Sequence, residues 1–133
     1  AKYNTETIDL ATVLKNGWFI RTASMVFRRE AIEEGFPNFF LNSYSTDYIL
    51  QVIILKNGLG KNFYEVMSVY RHHQGGISQA TKKLQLERWI SKLELLDNLN
   101  VFTDRMFSIE VKQNQKKTNL SLFKFVFFIN FIL

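Results

Sequence analysis

The sequence contains no cysteine and a single proline among its 133 residues. Without cysteine the chain has no disulfide framework, no thiolate metal site and no cysteine nucleophile. One proline and six glycines exclude collagen-like and proline-rich linker sequences. Hydrophobic residues make up 47% of the chain and charged residues 22%, which excludes wholesale disorder. The length fits one domain or part of one.

Acidic residues are fewer than basic ones, 12 against 17, and the formal charge is +5. A mildly basic chain suits a phosphate-bearing ligand or an anionic membrane surface. The lysines and arginines do not form the dense run that is typical of nucleic-acid-binding tails, so no nucleic-acid partner is predicted. No signal peptide is visible in residues 1–20, which contain Glu6, Asp9 and no long apolar run.

The last 14 residues, 120–133, read LSLFKFVFFINFIL and are almost entirely apolar. They are shorter than the roughly 20 residues that a membrane-spanning helix needs. Three interpretations stay open: packing on the core or on a second copy of the chain, contact of residues 119–133 with a membrane surface, or one part of a longer spanning helix. Four nearby lysines suit either anionic headgroups or plain solubility: Lys112, Lys116, Lys117 and Lys124.

Cap and turn residues divide the first hundred residues into alternating helices and strands. The strongest helix is expected at Asp47–Lys56, between an acidic start and an Asn-Gly stop; a core strand is the competing interpretation. A turn is expected at Arg28–Glu34, and a helix or linker at Asp104–Gln115. The other expected helices are Thr7–Lys15 and Ser78–Leu99, and the expected strands are Trp18–Phe27, Leu59–Phe63 and Val66–His72. The pattern predicts a partial α/β (or α+β) fold, in which three strands are few for an independent sheet.

Three segments carry residues that suggest chemistry. Thr22–Arg28 (TASMVFR) reads as a strand that ends in arginine, and Asp47 follows Ser45-Thr46 at the mouth of an apolar helix. Glu65–Ser78 (EVMSVYRHHQGGIS) reads as a strand that ends in Tyr-Arg-His-His and enters a Gly-Gly turn.

In order and spacing these segments resemble the C-terminal half of family-2 glycosyltransferases, which have a nucleotide-sugar-binding α/β fold. The family pattern runs through T-S-S-V-M-F-R, a G-D-W or G-D-Y helix start, a Lys/His-x-Gly turn and E-V-M-S-V-Y-R-x-H-x-G-G-x-x-S. The matching residues here are Ser24–Arg28, Asp47-Tyr48, Lys56–Gly58 and Glu65–Ser78. The resemblance implies the C-terminal portion of a GT-A-like fold, a few strands flanked by helices, over residues 1–100. Residues 101–133 would form a helical, apolar extension.

This sequence departs from the family in two respects. Thr46 stands where the family has glycine before the acid, and no D-x-D motif occurs in the chain. The resemblance therefore implies the acceptor-side part of a longer, inverting glycosyltransferase, inactive without its donor-binding half. That enzyme would use a nucleotide sugar, a glycan or lipid-linked acceptor and a divalent cation (Mg or Mn), in the cytoplasm at the inner membrane face. A non-catalytic carbohydrate- or partner-binding module is the alternative.

The resemblance also assigns roles to individual residues. Asp47 would be the general base for the acceptor hydroxyl, although Asp is also a preferred helix N-cap. Arg71 and His73 would bind the donor diphosphate, and His73 is also the candidate metal ligand; a strand-end histidine and an Arg71–Glu65 ion pair are the structural alternatives. The aromatic residues expected to bind substrate are Phe39, Phe40, Tyr44 and Tyr48, with a place in the core as their alternative.

Overall fold

The computed structural model describes residues 6–66, 69 and 82–132, with the side chains of all but 82, 83 and 129–132. This part of the chain contains four α-helices: α1 (Leu10–Asn16), α2 (Thr46–Lys56), α3 (Lys82–Phe102) and α4 (Ser108–Ile132). Strands β1 (Thr7–Ile8) and β2 (Gly60–Lys61) pair antiparallel, with Thr7 opposite Lys61 and Ile8 opposite Gly60. Two 3-10 turns, Thr22–Ser24 and Arg29–Ile32, lie between α1 and α2.

The predicted α/β fold is wrong, because the described chain is mostly helical and its one sheet consists of two short strands. The expected strand Trp18–Phe27 instead contains the 3-10 turn Thr22–Ser24, and the backbone of Met25, just beyond it, is extended. No backbone hydrogen bond joins Val26 or Phe27 to a neighbouring strand within the described residues. An apolar extended segment becomes a strand only where a neighbour supplies N–H and C=O groups, and no segment of the described chain supplies them to Val26 or Phe27.

Of the other two expected strands, one is reduced to a two-residue pair, and the other lies mostly outside the described residues. Of Leu59–Phe63, only Gly60 and Lys61 pair, and they do so with β1. Of Val66–His72, Val66 and Val69 are in no strand, and the remaining residues lie outside the described part of the chain. The sheet that the resemblance to a nucleotide-sugar transferase fold implied is therefore not formed by the described residues.

The helix signals were more reliable. α2 begins one residue before the predicted start and ends at Lys56, with Asn57 as its C-cap. α1 is capped by Asp9, whose carboxylate accepts a hydrogen bond from Thr12 N at 2.7 Å; Thr7, where this helix was expected to begin, lies in β1. The hydrogen bond from Thr12 lowers the pKa of Asp9. α3 and α4 extend further than Leu99 and Gln115, where the sequence pattern placed their ends.

All four α-helices of the described chain contribute to one core. α1 supplies Val13 and Leu14, α2 supplies Ile49, α3 supplies Leu99 and α4 supplies Val111, all at most 1% exposed. The predicted division between residues 100 and 101 thus falls inside α3, and residues beyond it pack in the same core. No helix in the described ranges is both long enough and apolar enough to cross a membrane.

The C-terminal end of α1 is fastened by side chains from α2 and α4. Asn114 Nδ2 donates to the Leu14 carbonyl at 2.8 Å, and the Tyr48 hydroxyl donates to the Val13 carbonyl at 3.2 Å. Lys117 Nζ donates to the Lys15 carbonyl at 3.1 Å. The Val13 carbonyl also accepts from Gly17 N at 2.8 Å. The last carbonyls of a helix have no partner inside it, so Asn114 and Lys117 satisfy groups that would otherwise be orphaned. The three side chains fix where α2 and α4 sit on α1.

We expect Gly17→Ala to lower the free energy of unfolding by about 1–3 kcal/mol. Gly17 has φ +77° and ψ −166°, a backbone region that is almost exclusive to glycine. An added Cβ would also lie 3.3 Å from Asn114 Nδ2, which holds Leu14. Urea titration followed by circular dichroism measures the loss.

Gly35→Ala is the matched control for this prediction. Gly35 has φ +82°, but nothing lies within 4 Å of an added Cβ. This substitution therefore carries a backbone cost without the contact, and its loss of stability should be the smaller of the two. If Gly35→Ala lowered the stability as much as Gly17→Ala, the contact of the added Cβ with Asn114 would contribute nothing to the loss at Gly17.

Candidate functional site

Asp47 lies in the first turn of α2, with its two carboxylate oxygens in different situations. Oδ1 accepts hydrogen bonds from the Ser45 hydroxyl at 2.5 Å and from Tyr48 N at 2.9 Å. Oδ2 accepts one from Thr22 Oγ1 at 3.3 Å, at an exposed position. The N-cap of α2 is Ser45, so Asp47 is not the N-cap residue that the structural alternative supposed. One oxygen anchors the side chain, and the other is accessible from solvent.

The contact between Thr22 and Asp47 joins two of the three segments that the sequence singled out. These residues are 25 positions apart and meet because the 3-10 turn Thr22–Ser24 lies against the start of α2. The third segment begins at Glu65, which is described and exposed; most of the residues from 67 to 78 lie outside the described part of the chain. Arg71 and His73 are among them, so the diphosphate and metal roles stay predictions.

Tyr44 is half-exposed and lies within the electrostatic influence of Asp47. Partial burial raises the pKa of Tyr44, the negative charge of Asp47 raises it further, and the positive charge of Arg88 opposes both effects. The phenol therefore stays protonated at neutral pH and can donate a hydrogen bond.

A small pocket of about 250 Å³ adjoins Tyr44 between residues 39–44 and α3. Its walls carry two aromatic rings, from Phe39 and Tyr44, and a set of hydroxyl, amide and carboxylate groups. The polar lining residues are Asn42, Ser43, Ser91, Glu94 and Asn98. Rings with amide and carboxylate groups suit a small polyhydroxylated ligand, which needs both an apolar face and many hydrogen-bond partners.

The structure divides the four aromatic residues predicted to bind substrate. Tyr44 lines the pocket with an exposed edge, and Phe39 lines it while its ring packs edge-on against Phe102 at 6.1 Å between centroids. Phe40 is partly buried, and its ring stands 4.4 Å from that of Phe36. Tyr48 is 2% exposed and its hydroxyl is bonded to α1, so it is a core residue and not a substrate contact.

No cluster of three or more His, Cys, Asp or Glu side chains that could hold a metal ion exists within the described ranges. His73, the predicted ligand, is not among those residues. The described residues offer a carboxylate at Asp47 and, in the pocket at Tyr44, a set of hydroxyl, amide and carboxylate groups.

A second concave surface, lined in part by α2, has a volume of about 470 Å³. It is lined mainly by apolar side chains, among them Ile20, Met25, Val26 and Phe63. Gln51 reaches it from α2 and is 1% exposed: its Nε2 donates to the Ile20 carbonyl at 2.9 Å, and its Oε1 has no hydrogen-bond partner. A buried amide oxygen without a partner is costly. This surface therefore has an unmet acceptor.

Sequence reasoning missed several of these residues. Glu94 and Asn98 lie on α3, where polar and apolar residues are interspersed along the helix, and nothing in this sequence pattern indicated that they face a pocket. Gln51 did carry a signal, since it is the one uncharged polar residue between Tyr48 and Leu55 in an otherwise apolar helix. A polar side chain in such a position is either hydrogen-bonded within the core or directed at a ligand or partner.

The resemblance to family-2 glycosyltransferases rests on residues of this sequence, and it remains a prediction after structural comparison. The chain was compared with protein-family models, with curated proteins and with solved structures. No family model, no curated protein and no solved structure matches it.

Proposed function

We propose that this chain is the acceptor-side part of a glycosyltransferase that moves a sugar from a nucleotide-sugar donor to a glycan or lipid-linked acceptor. The observation that carries the proposal is the Asp47 carboxylate, anchored through Oδ1 by Ser45 and the α2 backbone and accessible through Oδ2. A base must be oriented and within reach of a hydroxyl to remove its proton. The hydrogen bonds of Oδ1 orient the Asp47 carboxylate, and the exposed contact at Oδ2 is the side from which we propose that the acceptor hydroxyl approaches.

In the proposed reaction Asp47 takes the proton of the acceptor hydroxyl as that oxygen attacks the anomeric carbon. The attack comes from the face opposite the nucleotide, so the configuration inverts. A new C–O bond forms, the bond between the sugar and the diphosphate breaks, and its electron pair leaves with the nucleotide diphosphate. The first turn of a helix is a favourable place for the carboxylate, because the positive end of the helix dipole lies there.

The pocket beside Tyr44 supports acceptor binding close to this base. Phe39 and Tyr44 offer rings for the apolar face of a sugar, while Glu94 and Asn98 offer hydrogen-bond partners for its hydroxyls. Tyr44 belongs to the pocket and is also influenced by the charge of Asp47. Tyr44 stands three residues before Asp47 in the chain, and we propose that an acceptor held in this pocket extends one of its hydroxyls toward that carboxylate.

The donor side of the reaction is assigned to a part of the enzyme beyond this chain. No D-x-D motif occurs in the 133 residues, and the proposed divalent cation, Mg or Mn, would be held mainly by that donor-binding half. The apolar groove at Met25, Val26 and Phe63, with the unpaired Gln51 Oε1, is the surface that we assign to its contact. Arg71 and His73 remain the residues proposed to meet the diphosphate. We assign the reaction to the cytoplasmic face of a membrane.

A transfer assay tests the proposal. The full coding sequence that contains this chain is expressed and incubated with a panel of nucleotide diphosphate sugars, Mg²⁺ or Mn²⁺ and glycan acceptors. Release of nucleotide diphosphate with formation of glycosylated product is the expected result, and the 133-residue chain alone should give none. Absence of transfer by the full protein with every donor would contradict the proposal.

A non-catalytic carbohydrate-binding module is the second candidate, and the pocket between Phe39 and Glu94 favours it. Binding of oligosaccharides to this chain, followed by NMR chemical-shift changes, separates the two. We expect Tyr44→Ala to weaken glycan binding by at least about 10-fold, because a stacking ring and a phenol donor are lost together. Leu59→Ala, at an exposed residue outside this pocket, is the control. Glycan binding without any transfer by the full protein would identify the module.

A further inference from the structure

α4 has two opposite faces with different surroundings. One face packs on the body through Val111, Asn114 and Thr118, all at most 3% exposed. Further along, Phe125 continues this face, and its ring meets that of Trp89 edge-on at 4.9 Å. Side chains that follow each other at steps of three or four residues share one face of a helix. The body of the protein therefore fixes which face of α4 is turned to solvent.

The solvent face of α4 carries a continuous stripe that we call the α4 stripe. Its members follow at steps of 4, 4, 3 and 4 residues, and all are exposed: Lys112, Lys116, Leu120, Phe123 and Phe127. Leu120 is 55% exposed, Phe123 is 67% and Phe127 is 57%. The rings of Phe123 and Phe127 stack at 6.2 Å, which shows that they are neighbours on the same face. At 1.5 Å per residue the stripe is about 22 Å long.

The charges on α4 are almost entirely positive. The helix contains four lysines, Lys112, Lys116, Lys117 and Lys124, and one acidic residue, Glu110. Lys117 is directed toward α1, where it binds the Lys15 carbonyl. Lys112 and Lys116 belong to the stripe itself and Lys124 lies beside it, so cations border the exposed Phe and Leu side chains.

This combination of charge and apolar surface favours an anionic lipid surface over a second copy of the chain. An interfacial helix places its apolar side chains at the acyl boundary, while its lysines reach anionic headgroups. If two α4 stripes packed on each other, Lys112 and Lys116 would face lysines or phenyl rings, because the stripe contains no carboxylate to pair with them. Like charges in a buried contact oppose association.

We propose that the α4 stripe binds the surface of an anionic membrane, with α4 lying in the plane of the headgroups and the body of the protein above it. This inference does not depend on the proposed transferase activity. It rests on the exposure and spacing of five side chains and on the sign of the charges around them.

Co-sedimentation of the protein with sucrose-loaded vesicles tests the proposal. Anionic vesicles of phosphatidylcholine with about 30 mol% phosphatidylserine are compared with neutral vesicles of pure phosphatidylcholine. We expect at least about 10-fold stronger binding to the anionic vesicles, and a steep decrease with added salt. Equal binding to both vesicle types, or no binding to the anionic ones, would overturn it.

Two variant pairs separate the apolar and the charged contributions. Phe123→Ser with Phe127→Ser should weaken binding to anionic vesicles by at least about 10-fold, because the inserted rings are lost. Lys112→Gln with Lys116→Gln should weaken it by a similar factor and flatten its salt dependence. The matched control, Leu59→Ser with Val101→Ser, replaces two exposed apolar residues off α4, 72% and 62% exposed, and should bind as the parent does.

The same variants test whether the α4 stripe instead binds a second copy of the chain. Sedimentation velocity of the protein without lipid reports its oligomeric state. A dimer that the Phe123→Ser with Phe127→Ser variant dissociates, in a protein that does not bind anionic vesicles, would assign the stripe to self-association and overturn the membrane proposal. A parent protein that is monomeric and binds the vesicles through the stripe would support it.

Discussion

Replacing Leu99 by alanine is expected to lower the free energy of unfolding by about 2–5 kcal/mol. Leu99 lies on α3 with no exposed surface and belongs to the core cluster that all four α-helices share. Truncation removes three side-chain carbons from a close-packed interior and leaves a cavity that the helices cannot fully close. Because the total stability of such a domain is about 5–15 kcal/mol, the loss is a large fraction of it. Urea unfolding followed by tryptophan fluorescence measures the change.

Val101→Ala, two residues further along the same helix, is the control for Leu99→Ala. Val101 is 62% exposed, so its truncation leaves no cavity and should change stability by no more than about 0.5 kcal/mol. The comparison separates loss of packing from loss of helix stability, since both positions belong to α3. Similar losses at the two positions would contradict the shared core described above.

The helices of this protein could be predicted where their signals are local. The stop of α1 at Asn16-Gly17 and the start of α2 near Asp47 follow from turn and cap residues that act on the nearest backbone groups. Neither signal depends on what the rest of the chain does. Both boundaries were therefore readable from the sequence to within a residue.

The strand predictions failed because a strand forms only when a second segment pairs with it. Trp18–Phe27 has the apolar, β-forming composition of a buried strand, but composition does not supply a neighbour. In the structure the Arg21 guanidinium lies over the Trp18 ring, 4.8 Å from its centroid, and the Ser24 hydroxyl donates a hydrogen bond to the Arg21 carbonyl. These local contacts favour a 3-10 turn at Thr22–Ser24 over a strand, and Val26, just beyond the turn, is fully exposed.

α4 shows a different limit. Its middle portion, KQNQKKTN, is polar and carries no clear apolar period, so the sequence predicted a helix or a linker that ends near Gln115. The structure continues the helix because its buried face is partly polar: Asn114 and Thr118 are both buried and hydrogen-bonded. A hydrophobicity pattern cannot find such a face.

Two neighbouring residues of the predicted site separate for a geometric reason. Successive helix positions differ by about 100° around the axis, so Asp47 and Tyr48 cannot occupy the same face of α2. Asp47 is at the surface beside Thr22, and Tyr48 points into the core toward Val13. The start of α2 was predictable, but which of its faces the body would cover was not. The contact between Thr22 and Asp47 was equally out of reach, because it joins segments 25 residues apart.

Asp47→Asn in the complete transferase is expected to reduce sugar transfer by at least about 100-fold, with nucleotide-sugar binding unchanged. The amide oxygen can still accept from the Ser45 hydroxyl and from Tyr48 N, and the amide nitrogen can donate to Thr22 Oγ1, so the local hydrogen bonds are retained. What is lost is basicity, since an amide does not take a proton from an alcohol. Steady-state kinetics of product formation, together with calorimetric titration of the nucleotide sugar, measures both quantities.

Asp9→Asn provides the matched control, because Asp9 is also an aspartate at the start of a helix. Its carboxylate caps α1 through Thr12 N, asparagine is an equally good N-cap, and Asp9 makes no contact with Asp47 among the hydrogen bonds of the site. Transfer by this variant should equal that of the parent enzyme.

If Asp47→Asn also retained the parent's rate while its thermal midpoint stayed unchanged, Asp47 would be a structural residue of the α2 start, and the base would have to be sought elsewhere. If the rate and the thermal midpoint fell together, the loss would be one of folding, and the parallel variant Ser45→Ala, which removes only the anchoring hydroxyl, would show the same joint decrease. A rate that falls alone, with Asp9→Asn unaffected, is the result that a general base at Asp47 requires.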